Sequence, residues 1–121
     1  MISGRVIEMQ ARVGVVFKAP EHGNLEIEFT IDTGFQGALT LPRGAVEALG
    51  LQRYHEIYAI LADDSSVTVD VYKATILWRG EELSVAVLAM GKRPLLGTAL
   101  LEGNGLHAQF VEDGPVSIYD L

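Results

Sequence analysis

Asp32-Thr33-Gly34 lies between two apolar segments that read as strands, which puts a carboxylate on a loop anchored at both ends. Over residues 25–31 the odd positions Leu25, Ile27, Phe29 and Ile31 are apolar and alternate with Glu26, Glu28 and Thr30, the period of a half-buried strand. Asp32 therefore arrives at the end of a rigid element. Gly34 supplies the freedom in φ that a tight loop needs, and Gly37 a second pivot before residues 39–41 re-enter the sheet. A D-T-G tripeptide arises by chance in a chain this long roughly 2% of the time, and all three are ordinary turn residues. The flanking strands give it meaning.

The rest of the chain reads as short strands punctuated by turns. Residues 7–17 alternate apolar at Ile7, Met9, Ala11, Val13, Val15 and Phe17, which predicts one long strand, bent at Gly14. A turn over residues 18–24, with Pro20, His22 and Gly23, returns the chain into residues 25–31. Pro42 and Gly50 bracket a two-turn helix over residues 43–49. Residues 54–62 and 67–78 are expected to form a long hairpin with the polar tip Asp63-Asp64-Ser65-Ser66. Residues 83–90 follow as a strand, then Leu95-Leu96-Gly97, a helical turn over 98–102, and closing strands over 106–111 and 116–119. Many short strands with brief helices indicate an all-β, barrel-like architecture of antiparallel strands with one or two short helices.

Composition narrows the function classes. The chain has 121 residues, 49% of them apolar, enough for a single domain spanning residues 1–121 with a real core. It has no cysteine, so neither disulfides nor thiolate metal sites are available. The net charge of −7 is spread along the chain and argues against a phosphate-backbone partner, so nucleic acid is not expected. Without a basic leader or a long apolar run, a cytoplasmic protein with no membrane association is expected.

The apolar-Asp-Thr-Gly loop, followed far along the chain by Leu95-Leu96-Gly97 leading into a short helical stretch, resembles the retroviral-type (retropepsin-like) aspartic proteases, in particular their small bacterial single-domain members. The resemblance covers nearly the whole chain. It implies that Asp32 is the catalytic acid/base, Thr33 a brace across a dimer, and Gly34 the position of close backbone approach, with Leu96-Gly97 packed beneath the loop. The hairpin over residues 54–78 would be a flap, and Phe35, Ala62, Asp63, Asp64 and Ser65 would meet a peptide or protein substrate. No metal or organic cofactor is implied. The flap tip departs from the family pattern, which commonly has glycine there.

An aspartic protease needs two carboxylates sharing a proton. The chain has one Asp-Thr-Gly and no second copy, so the enzyme reading demands a homodimer with Asp32 of each subunit facing across a two-fold axis. The alternative is a retropepsin-fold domain, weak or inactive as a catalyst, that binds peptides or serves assembly. Other residues read as structural. His22, His55 and His107 lack metal-ligand spacing, Glu26 and Glu28 share a solvated strand face, and Trp78 ends a strand as a core or rim residue. Ser65 and Ser66 have no partnering His.

Overall fold

A computed structural model describes residues 1–19 and 22–121. Pro20, and with it part of the turn expected over residues 18–24, lies outside the described residues. The strands are β1 (Ile2–Ile7), β2 (Gln10–Ala19), β3 (Gly23–Ile31), β4 (Leu39–Leu41), β5 (Gln52–Ile60), β6 (Ser66–Trp78), β7 (Glu81–Ala89), β8 (Leu95–Leu96), β9 (Asn104–Ala108) and β10 (Pro115–Asp120). Two short helices, α1 (Arg43–Leu49) and α2 (Thr98–Leu101), interrupt them. Gly50 takes the expected left-handed cap, φ 66°, and donates its N–H to the end of α1.

All ten strands form one hydrogen-bonded sheet in the order β5-β6-β7-β4-β8-β3-β2-β1-β10-β9. A further pairing of β2 with β6 closes strands β6-β7-β4-β8-β3-β2 into a cycle. The expected strand-rich fold with two short helices is thus present. Not every pairing is antiparallel, however, because β8 runs parallel to β3 and β4 runs parallel to β7. These two pairings thread the ends of the Asp32 loop through the middle of the sheet.

The single strand expected over residues 7–17 is a correction. The chain instead makes the hairpin β1–β2, with Ile7 opposite Gln10. Glu8 and Met9 both have positive φ, 53° and 63°, the two-residue hairpin turn whose twist suits the flanking strands. In β1 the buried side chain is at an even position, Val6, whereas in β2 Ala11, Val13, Val15 and Phe17 are buried at odd ones. Ile7 and Met9 only seemed to continue the β2 alternation. At the other end, the strand expected over residues 106–111 is β9, which begins at Asn104 and stops at Ala108.

The core fills the inside of the cycle. Phe17 stacks on Phe29 with ring centroids 5.9 Å apart, and Leu39, Leu41, Ile76, Val87 and Leu96 are fully buried around them. Each such side chain removed from water contributes about 1.5–3 kcal/mol. Thr40 is the buried polar residue among them. Its Oγ1 accepts the Leu95 N–H at 3.1 Å and so replaces a ladder bond where β4 meets β8. Thr40→Val keeps the shape and strands that donor, so a loss of about 1–2 kcal/mol in urea denaturation is expected.

Candidate active site

Asp32 follows β3 directly and is half-buried. Its backbone N–H donates to the Leu96 carbonyl at 2.9 Å, which ties the entry of the loop to β8. Within the loop, Gly34 N–H donates to the carboxylate Oδ1 at 2.9 Å, and Phe35 N–H donates to the Asp32 carbonyl at 3.1 Å. One backbone donor therefore fixes the carboxylate rotamer. A Cβ on Gly34 would stand 3.2 Å from that same oxygen, closer than most side chains accept.

The start of α2 supports the loop from below. Gly97 N–H donates to Ala38 O at 2.9 Å, Thr98 N–H to Phe35 O at 2.8 Å, and Ala99 N–H to Gly37 O at 3.2 Å. Thr98 Oγ1 adds a bond to Phe35 O at 3.3 Å. These N–H groups have no partner inside a helix, and the loop carbonyls have none inside a sheet, so each set satisfies the other. The approach is close enough that a Cβ on Gly97 would overlap the Phe35 and Gly37 carbonyl oxygens. Leu96-Gly97 thus packs against the Asp32 loop in the way the sequence suggested.

Phe35 sits between the loop and the hairpin β5–β6. Its ring lies against Gly37 and Gly97 and packs with a small cluster of Val69, Val71 and Leu88, joined by Ile57, Ala59 and Met90. The bulky residue after the motif therefore couples the loop to the hairpin base. Ala62, Asp63, Asp64 and Ser65 lie exposed at the hairpin tip. Among the described residues, no hydrogen bond or ion pair joins that tip to the Asp32 loop within one chain. Thr33 is exposed and lines a concavity of about 500 Å³ together with Met9, Ile31, Leu106, His107 and Phe110. Another of about 480 Å³, around Trp78, Arg79 and Glu81, contains no residue of the motif.

The tip holds itself without glycine. Asp63 Oδ1 accepts Ser65 Oγ–H at 2.5 Å and Ser65 N–H at 3.0 Å, while Asp64 takes the left-handed backbone, φ 65°. The Ser65 hydroxyl first, and the Ser65 N–H second, hold the Asp63 carboxyl below the usual carboxylate range, against a small opposing effect of burial. A lowered pKa means that these bonds steady the tip above the ordinary carboxylate range and are lost as pH falls through the lowered value. Ser65→Ala is expected to move the Asp63 titration up toward the ordinary range in an NMR pH series. An unchanged titration would show that the hydroxyl contributes nothing.

Asp70 was not singled out in the sequence. It lies on β6 opposite Glu56 of β5, and it accepts from Arg43 of α1 at 3.1 Å and from Arg53 of β5 at 3.2 Å. The Arg43 bond is the main reason its carboxyl is held below the usual range, with burial opposing and Arg53 assisting. Two acids facing across a hairpin need a cation, and Arg53 also reaches Glu56 at 3.4 Å. That requirement was the available signal. Among the described residues no group of three or more metal-ligating side chains converges, and no helix is long and apolar enough to cross a membrane.

A solved structure of a retropepsin-like aspartic protease from Rickettsia conorii superposes on the chain with a TM-score of 0.60 at 18% identity, covering 99% of this chain and 91% of that one. The chain has the retropepsin-like fold. No protein-family model matches it, and no curated protein does so either. With the retropepsin-like fold, the loop that carries Asp32 and the glycine turn at Gly97 meet at the centre of the sheet. The chain offers one Asp-Thr-Gly carboxylate there, and a lone carboxylate can act as a base or an acid but not as both at once.

Proposed function

We propose that the protein is an aspartic endopeptidase that hydrolyses extended peptides with a water activated by Asp32 of two subunits. The reading is carried by the Asp32 carboxylate, oriented by Gly34 N–H on a loop that is braced by β8 and α2. Two such carboxylates a few ångströms apart do not both ionise, so they share one proton and titrate as a pair. The ionised member takes a proton from water, and the protonated member donates to the scissile carbonyl oxygen. Each then holds what the other needs for collapse of the tetrahedral intermediate. Thr33 braces the pair across the dimer, and Gly34 allows the close approach. Peptide lies extended between the pair and the two hairpins, in contact with Phe35 and with Ala62, Asp63, Asp64 and Ser65. The enzyme is a single domain in the cytoplasm.

Cleavage of a denatured protein mixture, followed from acid to neutral pH and over a dilution series, tests this reading. A bell-shaped profile is expected, with activity per chain falling as the dimer dissociates. Activity per chain that does not change down to concentrations where sedimentation shows only monomer would remove the shared pair.

The tip favours a second reading. Asp63 and Ser65 close it with side-chain bonds, and Asp64 occupies a backbone region that glycine prefers. A stiffened, acidic tip suits a domain that holds peptides without turning them over. Peptide binding without any cleavage, in a preparation shown to be dimeric, would select that reading.

A further inference from the structure

A concavity of about 300 Å³ on the outside of the cycle contains no residue of the Asp32 loop and is lined by Lys18, Gly50, Gln52, Lys73, Thr75 and Ser84. Strand alternation turns these side chains outward. Ala74 and Ile76 of β6 are buried in the core, so Lys73 and Thr75 face out, and on β2 the buried Phe17 and Ala19 leave Lys18 facing out in the same way. Register then collects them. Gln52 stands opposite Lys73 and Ser84 opposite Thr75, while Phe17 stands opposite Ile76 and so brings Lys18 beside Thr75. The chain holds 16 acidic residues against 9 Lys and Arg, yet among the described residues the titratable groups lining this concavity are the two ammonium groups of Lys18 and Lys73. Lys18 donates to Glu82, at the edge of the concavity, at 2.8 Å, an exposed pair of little strength. Lys73 Nζ lies 4.2 Å from the centroid of the Tyr54 ring. Each ammonium has three N–H groups, so both keep donors for a ligand.

We infer that this concavity binds a small phosphate-class anion, inorganic phosphate or a small phosphomonoester, between Lys18 and Lys73, with the Thr75 and Ser84 hydroxyls donating to it. A tetrahedral oxyanion presents acceptors in every direction and suits donors that converge from several strands. Two ammonium point charges match it, whereas a planar carboxylate is better matched by the fork of an arginine. The donors sit on paired strands, so little ordering is left for binding to impose. A net charge of −7 repels a long polyanion, but a small one in the concavity responds mainly to charges within about 8 Å at physiological salt. A volume of about 300 Å³ is at the small end for ligand pockets and limits what accompanies the phosphate. The site stands whether or not two Asp32 carboxylates meet.

Sodium phosphate titrated into the full chain, against sodium chloride at matched ionic strength, tests the site through backbone amide chemical shifts. The amides of Gln52, Lys73, Thr75 and Ser84 are expected to shift together and saturate, with half-saturation at about 1 mM or below, while those of Thr33 and Gly34 stay in place. Lys18→Gln and Lys73→Gln are each expected to raise the half-saturation concentration at least about ten-fold, and Thr75→Val, which keeps the shape and the strand, at least about three-fold. Lys92→Gln removes the same charge from an exposed position outside the concavity and is expected to change it by less than about two-fold. The undisturbed remainder of each variant's spectrum reports its fold. Glycerol phosphate separates the two sources, since tighter binding assigns the site to a phosphomonoester and equal or weaker binding assigns it to inorganic phosphate. Shifts that do not saturate, that chloride reproduces, or that Lys92→Gln weakens as much as Lys73→Gln overturn the site.

Discussion

Asp32→Asn is expected to lower the rate of peptide cleavage at least about 10³-fold, with fold and dimer unchanged. General acid and base steps each contribute about 10²–10⁴-fold, and in the proposed homodimer the substitution removes the ionisable group from both partners at once. Loss of 10³ corresponds to about 4 kcal/mol of transition-state stabilisation. Asn keeps an oxygen in place for the Gly34 N–H, which donates to Oδ1 at 2.9 Å, so the loop has no reason to move. Far-ultraviolet circular dichroism and sedimentation should therefore match wild type, and the loss should appear in kcat, with KM little changed. Cleavage that survives in the variant would remove Asp32 from the chemistry.

The second large effect is structural. Gly97→Ala is expected to destabilise the chain by about 2–3 kcal/mol, because an added Cβ would overlap the Phe35 and Gly37 carbonyl oxygens and the Phe35 ring, and overpacking against a rigid neighbour costs about that much. The ring could turn aside, but the carbonyls cannot. They already accept Thr98 and Ala99 N–H, so moving them strains the bonds that hold the Asp32 loop. A urea titration measures the shift, and activity per folded molecule should fall with it. A loss below about 0.5 kcal/mol would show that the loop and α2 are not in the tight contact described.

The sequence revealed the Asp32 loop well, because alternation in Leu25 to Ile31 ends on the motif and glycines follow it. It also revealed the hairpin tip, where Asp63-Asp64-Ser65-Ser66 is an unmistakable polar turn. It concealed β1, because the Glu8–Met9 turn uses residues that rarely adopt positive φ and the false alternation through Ile7 and Met9 hid the change of phase. The two parallel pairings were equally hidden. They join residues far apart in the chain, β8 has only two residues, and no local pattern records which distant strand will lie alongside. The Arg43–Asp70–Arg53 arrangement joins α1, β5 and β6 and depends on that same long-range register. That the chain holds a single Asp-Thr-Gly was legible as a count, but the Thr33 concavity was not, since it assembles from the β1–β2 hairpin, β3, β9 and the β9–β10 connection.

β6 serves two masters. Its far end, at Ile76 and Leu77, locks onto β2 and hoops the cycle shut, while its near end, from Ser66, is bonded to β5 over residues that reach the tip. A thirteen-residue strand is thus hoop at one end and lever arm at the other, with Phe35 wedged where the arm leaves the hoop. Any swing of the tip is then passed toward the loop bearing Asp32 through the Phe35 ring, which packs on β6 and lies against Gly37 and Gly97. Amide exchange graded along β6, rapid toward Val67 and slowest at Ile76, would be the imprint of that fulcrum.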